Sequence, residues 1–188
     1  MSYSNLSQTF RPRALGIAGV AALLLALVTT AGAEPGNDPR APVLVGDSAK
    51  LRVEAGNKVI AHGFAIGVQS YRWNGTAWIF VAPTAVLYED EDLHGEFATH
   101  FAGPTWQSNS GSFVVAAADK TSTPDPDSIP WVLLKAAATT GPGIFDGVTF
   151  VQRVNTVGGK APADPGETVG EVADVPYTAE YYFYRHQG

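Results

Sequence analysis

The chain has 188 residues, with 12 basic and 18 acidic side chains, a formal net charge of -6 and no cysteine. The absence of cysteine excludes a disulfide, a thiolate metal site and a thiol nucleophile. The acidic balance argues against a basic surface for nucleic acid or anionic lipid. A hydrophobic fraction of 45% with 11% aromatic residues predicts a folded domain.

The N-terminus has the layout of a secretory signal peptide. Arg11 and Arg13 precede an apolar run over residues 14–28, and small residues follow as far as Ala33. This run is short for the roughly 20 apolar residues that a membrane span needs. We therefore predict a signal peptide over residues 1–33, cleavage after Ala33, and export to a periplasm or the extracellular space. We expect no membrane attachment of the mature chain.

The remaining residues predict one domain. Residues 34–42 contain three prolines, which predicts an extended lead-in, and the folded domain is expected over residues 43–188. Within it, short β-branched and aromatic runs recur between turn signals. The clearest is a hairpin over residues 67–80, in which Asn74-Gly75 predicts a type I′ turn.

Further strands are predicted along the rest of the domain, at residues 84–88, 96–101, 112–118, 131–136, 147–155 and 177–185. Ser128 could instead cap a helix over residues 128–138, but the continuous apolar run from Ile129 to Leu134 favours a strand. Residues 157–172, rich in glycine and proline, predict a long loop. The pattern as a whole predicts an all-β fold, a single antiparallel β-sandwich or a barrel-like domain.

One candidate metal site follows from even spacing. His94, Glu96 and His100 would share a face if they lay in one extended strand. Two imidazoles and a carboxylate can bind zinc or another divalent cation. Two alternatives stay open: His94 could precede the strand, and the ring of His100 could instead fix the turn at residues 103–104.

A second candidate site is an aromatic and polar patch. Arg153 and Asn155 are predicted on one face of a strand, where a planar cation and an amide could bind an anionic or hydroxylated ligand. An ion pair between Arg153 and an acidic residue is the alternative. The chain's tryptophans and tyrosines offer flat surfaces of the kind that bind sugars or peptides, unless they pack in the core.

These patterns favour an exported module that binds a ligand or has a structural role. The ligand would be a small molecule or a carbohydrate. The candidate binding residues are His100, Trp106, Gln152, Arg153 and Asn155. The alternative is an exported enzyme, assisted by a metal at His94, Glu96 and His100, although no G-x-S-x-G or G-x-G-x-x-G motif is present.

Several longer motifs resemble one known family. They lie at residues 100–106 (HFAGPTW), 129–131 (IPW), 151–156 (VQRVNT) and 175–184 (VPYTAEYYFY), together with residues 67–71 (GVQSY). They are similar to the exported bacterial and fungal proteins known as the domain of unknown function family three-four-five-five. The resemblance implies export but no particular activity. Members commonly have a cysteine near the position of Trp73 and another near residues 163–166, and this chain has neither.

Overall fold

The computed structural model describes Met1 and residues 38–187. Apart from Met1, the predicted signal peptide lies outside the described residues, as does the first part of the lead-in. Eight antiparallel strands form a closed barrel in which each strand pairs with the next and β8 pairs with β1. The strands are β1 Asn57–Trp73, β2 Trp78–Tyr88, β3 Glu96–Phe101, β4 Thr105–Ser108, β5 Phe113–Ser122, β6 Trp131–Thr140, β7 Val148–Gly158 and β8 Val172–His186. The predicted all-β antiparallel fold is confirmed, and it is a barrel.

The strands alternate between the interior of the barrel and its outer wall. On β8, Tyr181 and Phe183 belong to the interior cluster, whereas Tyr182 and Tyr184 belong to a second cluster outside. This two-residue period is what extended backbone imposes on successive side chains. It decides which functional side chains can meet inside the barrel.

Residues 38–53 cover part of the outer wall. A short 3-10 helix, Gly46–Leu51, lies in this segment, and the buried Leu51 packs in the outer cluster. The Asp38 carboxylate accepts a hydrogen bond of 2.8 Å from the backbone N–H of Val59 on β1. No helix in the described part of the chain is both long and apolar enough to cross a membrane.

The predicted turn at Asn74-Gly75 is wrong in type. The last residue pair between β1 and β2 is Trp73 with Trp78, so four residues connect the two strands. A type I′ turn needs a positive φ at both Asn74 and Gly75, but only Gly75 has one, of 96°. The side-chain oxygen of Asn74 accepts backbone hydrogen bonds from Thr76 and Ala77, at 2.9 and 2.8 Å. This local bonding stabilises a longer loop without a left-handed conformation at Asn74.

The predicted strands are found, with different lengths. β3 has the predicted bounds, and residues 131–136 belong to a strand rather than to the alternative helix. Residues 84–88 do not form a separate strand, because β2 continues through them past a register shift. The four-residue β4 was missed, since it is too short to show a periodic pattern.

Candidate functional site

A cavity of about 180 Å³ lies in the barrel, and all eight strands contribute side chains to its wall. At about 30 Å³ for each water molecule, this is space for about six waters, which limits an occupant to a small molecule. The apolar part of the wall consists of Phe80, Val81, Pro83, Pro104, Ala118, Val132 and Leu134, together with Gly103. The polar part consists of Gln69, His100, Trp106, Arg153 and Tyr181.

His100 and Trp106 are cross-strand partners in the β3–β4 hairpin. His100 is 3% exposed, and its Nδ1 lies 2.9 Å from the carbonyl oxygen of Thr105. Because a carbonyl only accepts, Nδ1 carries the proton, and Nε2 is left as an acceptor. Burial lowers the pKa of His100 to about 4, so the ring is neutral at pH 7. The contact with Thr105 also fits the predicted role of His100 at the turn.

Two buried donors in the cavity wall have no partner. Trp106 is 1% exposed and Gln69 is 3% exposed. Among residues 38–187, no acceptor meets hydrogen-bond geometry with Trp106 Nε1 or Gln69 Nε2, although Gln69 lies close enough to the Tyr177 hydroxyl to act on its pKa. A buried donor left unsatisfied costs about 1–3 kcal/mol, so two such donors in one cavity wall need an explanation.

Arg153 brings a positive charge to the same cavity. Its side chain is half-buried, and Nε and Nη2 donate to the carbonyl oxygen of Pro130 at 3.3 and 2.9 Å. Within residues 38–187 no carboxylate lies within 4.0 Å of its guanidinium. The ion pair considered as an alternative is therefore not formed in the described part of the chain. Burial raises the pKa of Tyr181, and the charge of Arg153 opposes that rise.

Gln152 lies on the opposite face of β7 from Arg153. On the outer wall it donates from Nε2 to the carbonyl oxygen of Leu51 at 2.6 Å, and its Oε1 accepts a hydrogen bond from the Tyr184 hydroxyl. It lies beside a groove of about 510 Å³ formed largely by residues 38–45. The structure therefore does not bring Gln152 into the barrel cavity, because adjacent residues of a strand point to opposite faces.

Asn155 is also outside the cavity, so the predicted common face with Arg153 is wrong. The β7–β8 pairing shifts register between Val154 and Val157, and Asn155 has a φ of 50°. Its side-chain nitrogen donates to Glu180 Oε1 on the outer wall at 2.7 Å. A bulge interrupts the strict alternation on which the prediction depended.

Glu180 is the centre of a polar cluster on the outer wall. Its Oε2 lies 2.8 Å from His62 Nε2 and accepts a hydrogen bond of 2.8 Å from the Tyr182 hydroxyl. The hydrogen bond with His62 is the main cause that lowers the pKa of Glu180 to about 2. The His62 ring stacks on Tyr182, with centroids 4.0 Å apart. The cluster therefore satisfies its own hydrogen bonds.

The three predicted metal ligands do not come together. His94 precedes β3, is exposed, and bonds through Nδ1 to Asp90 at 3.1 Å. Glu96 is exposed at the start of β3, whereas His100 is buried. A register shift opposite Tyr88 breaks the alternation between Glu96 and His100, so the predicted common face is wrong. In the described range, no group of three His, Asp or Glu side chains is placed to bind a metal ion.

Gln69 and Tyr181 line the cavity but were missed from the sequence. Gln69 lies at an interior position of β1, and the sequence signal that could have identified it is its alternation with Ala65 and Tyr71 on one strand face. Tyr181 is one of four aromatic residues in a row on β8. Its direction becomes known only with the register of β8 against its neighbours.

The loop between β7 and β8 packs against the first hairpin. Trp78 Nε1 donates to the carbonyl oxygen of Asp164 at 2.9 Å. A Cβ added to Gly166 would lie 2.6 Å from the Trp73 ring, so loop and ring are in close contact. Aromatic packing therefore connects the two places at which the family resemblance implied cysteines.

Comparison with known proteins gives one match. The model of a family described as protein of unknown function (DUF3455) matches residues 54–185, which include nearly the whole barrel. Neither the curated proteins nor the solved structures contain a match to this chain. The motifs that carried the resemblance all lie within the matched range. The chain belongs to the DUF3455 family of proteins of unknown function.

Proposed function

We propose that the mature chain is an exported binding module for a small molecule, which occupies the barrel cavity beside His100, Trp106 and Arg153. The observation that carries this proposal is the pair of unpartnered buried donors, Trp106 Nε1 and Gln69 Nε2, in the wall of one cavity. A structural core gains nothing from such donors, since each costs about 1–3 kcal/mol. A ligand with acceptor atoms would satisfy them. The signal-peptide pattern supports export.

The chemistry of the wall favours binding over catalysis. His100 has one ring nitrogen committed to Thr105, and its low pKa keeps it neutral. His94 and Glu96 lie away from His100, so the three residues on which the hypothesis of a metal-assisted enzyme depended do not form one site. The remaining polar side chains of the wall, Gln69, Trp106, Arg153 and Tyr181, can orient a ligand through hydrogen bonds, and they include no nucleophile paired with a base.

A cavity-filling variant tests the proposal. Ala118 lies in the cavity wall on β5 and pairs with Leu134, whereas the adjacent Ala117 pairs with Lys135 on the other face. Ala118→Phe should fill the cavity, and Ala117→Phe is the matched control because both residues are exposed. Ligand-detected NMR with a library of small acids, amides, alcohols and sugars is the measurement.

We expect at least one class of compound to bind the parent and Ala117→Phe, and to lose binding in Ala118→Phe. Thermal unfolding of each variant establishes that the barrel is intact. Binding that survives in Ala118→Phe would place the ligand elsewhere, and no binding by the parent to any class would overturn the proposal.

A further inference from the structure

We infer that the cavity selects a small monocarboxylate, an organic acid with one carboxylate and a compact apolar body. The inference rests on the proposed function and names the ligand class of that same site. The Arg153 guanidinium and the N–H groups of Trp106 and Gln69 would donate hydrogen bonds to the carboxylate oxygens. The apolar wall would receive the body of the acid.

The charge balance of the cavity is the first argument. Of the described residues in its wall, Arg153 alone is charged, because burial keeps His100 neutral. A half-buried guanidinium without a carboxylate partner favours a ligand that supplies one. A cationic ligand in the cavity would be repelled by the positive charge of Arg153. A dianion would bring more negative charge than one arginine neutralises.

The balance of donors and acceptors is the second argument. The Arg153 guanidinium has five N–H donors, of which Nε and Nη2 use one each on Pro130. The free donors of Trp106 and Gln69 add to those that remain. A carboxylate has about four lone-pair sites and no donor, which complements this set. A primary amide of the same shape would turn its NH₂ group toward these donors, and an acceptor such as the neutral His100 Nε2 would give it no charge-assisted hydrogen bond.

The volume of the cavity and the apolar residues in its wall determine which kind of body can carry the carboxylate. The cavity of about 180 Å³ has Val132 and Leu134 on its buried side and Phe80 and Val81 at exposed positions. An aromatic ring or a short branched chain suits such a wall, because burial of apolar surface contributes roughly 25 cal/mol per Å². A sugar would leave most of its hydroxyl groups facing hydrocarbon.

The test compares isosteric probes on the processed full chain. Isothermal titration calorimetry would measure benzoate against benzamide, and succinate as a dianion, with the parent, Arg153→Gln and Arg72→Gln. Arg72 is an exposed arginine on β1, so its replacement makes the same charge change away from the cavity. We expect benzoate to bind at least about tenfold more tightly than benzamide or succinate, a difference of about 1.4 kcal/mol. Arg153→Gln should remove that preference, and Arg72→Gln should retain it.

The outcomes separate the two proposals. If benzamide or another neutral compound binds in the cavity as tightly as benzoate, and Ala118→Phe blocks it, the monocarboxylate inference fails while the binding function stands. If benzoate binds equally to the parent and Arg153→Gln, the inference also fails. If no compound of any class binds the parent, both proposals fail.

Discussion

The imidazole of His100 lies parallel to the indole of Trp106, with ring centroids 4.2 Å apart and planes inclined by 4°. Tyr181 meets both rings edge-on, at centroid distances of 5.3 and 5.4 Å. The stack is part of the interior wall and also closes the short β3–β4 hairpin through the Thr105 carbonyl. One pair of residues therefore supports the barrel and presents an unpartnered donor to its cavity.

The burial of His100 predicts a pH-dependent stability. Its pKa is about 4 in the folded chain against an ordinary value of 6.5, so the unfolded chain binds more protons between these values. The stabilisation is present above about pH 6.5 and is lost as the pH falls toward 4. We expect the free energy of unfolding to drop by about 2 kcal/mol between pH 7 and pH 5 through this group, measured by urea denaturation.

The matched variants for that measurement are His100→Gln and His94→Gln. His100→Gln should make the free energy of unfolding nearly independent of pH between pH 7 and pH 5. His94→Gln, at an exposed position, should keep the parent's dependence on pH. Glu180, with its pKa lowered to about 2, titrates below this range. If His100→Gln kept the parent's dependence of stability on pH, His100 would not be its cause.

Gln152 is expected to be structural rather than part of the binding site. Gln152→Leu removes its bond to Leu51 and leaves the buried Tyr184 hydroxyl without its acceptor. The free energy of unfolding should fall by about 1–3 kcal/mol, and hydrogen exchange should increase in residues 38–53. Benzoate affinity should stay at the parent's value. A matching loss of affinity would instead connect the outer wall to the cavity.

The carboxylate of Glu180 should stabilise the outer wall above its own titration range. Glu180→Gln weakens the bonds to His62 and Asn155, and we expect a loss of about 1–2 kcal/mol at pH 7 after solvent screening is considered. The pKa of Glu180 is about 2 in the folded chain and 4.5 in the unfolded chain. The stability difference between the parent and Glu180→Gln should therefore shrink as the pH falls from 4.5 toward 2. Thermal unfolding at pH 7 and pH 3 measures it, with the exposed Glu91→Gln as control. An equal gap at both pH values would count against the carboxylate's role.

Close approach of β1 and β2 should make Gly67 intolerant of a side chain. A Cβ at Gly67 would lie 2.1 Å from the carbonyl oxygen of Thr84, whereas one at Gly63 would meet the end of the Phe97 ring at 2.7 Å. Backbone cannot yield as a ring can, so Gly67→Ala should cost about 3 kcal/mol and Gly63→Ala clearly less. Melting temperatures of the two variants decide this, and an equal loss would contradict the stated packing.

The sequence predicted the all-β class and most strands because alternation and turn residues are local signals. Closure into a barrel depends on the pairing of β1 with β8, and no local pattern specifies such a pairing. The same limit explains the site. Alternation along β7 places Gln152 and Arg153 on opposite faces, although both were candidate binding residues. The bulge near Asn155 and the one opposite Tyr88 arise from register, which strand sequences do not show.

The most direct test of the binding proposal is the indole N–H signal of Trp106 in a ¹H–¹⁵N NMR spectrum, assigned by its loss in Trp106→Phe. On titration with benzoate we expect this signal to shift and saturate with the calorimetric affinity. The Trp78 signal, whose donor already bonds to Asp164, should stay in place. Benzoate binding that leaves the Trp106 signal unmoved would contradict a carboxylate held at this donor.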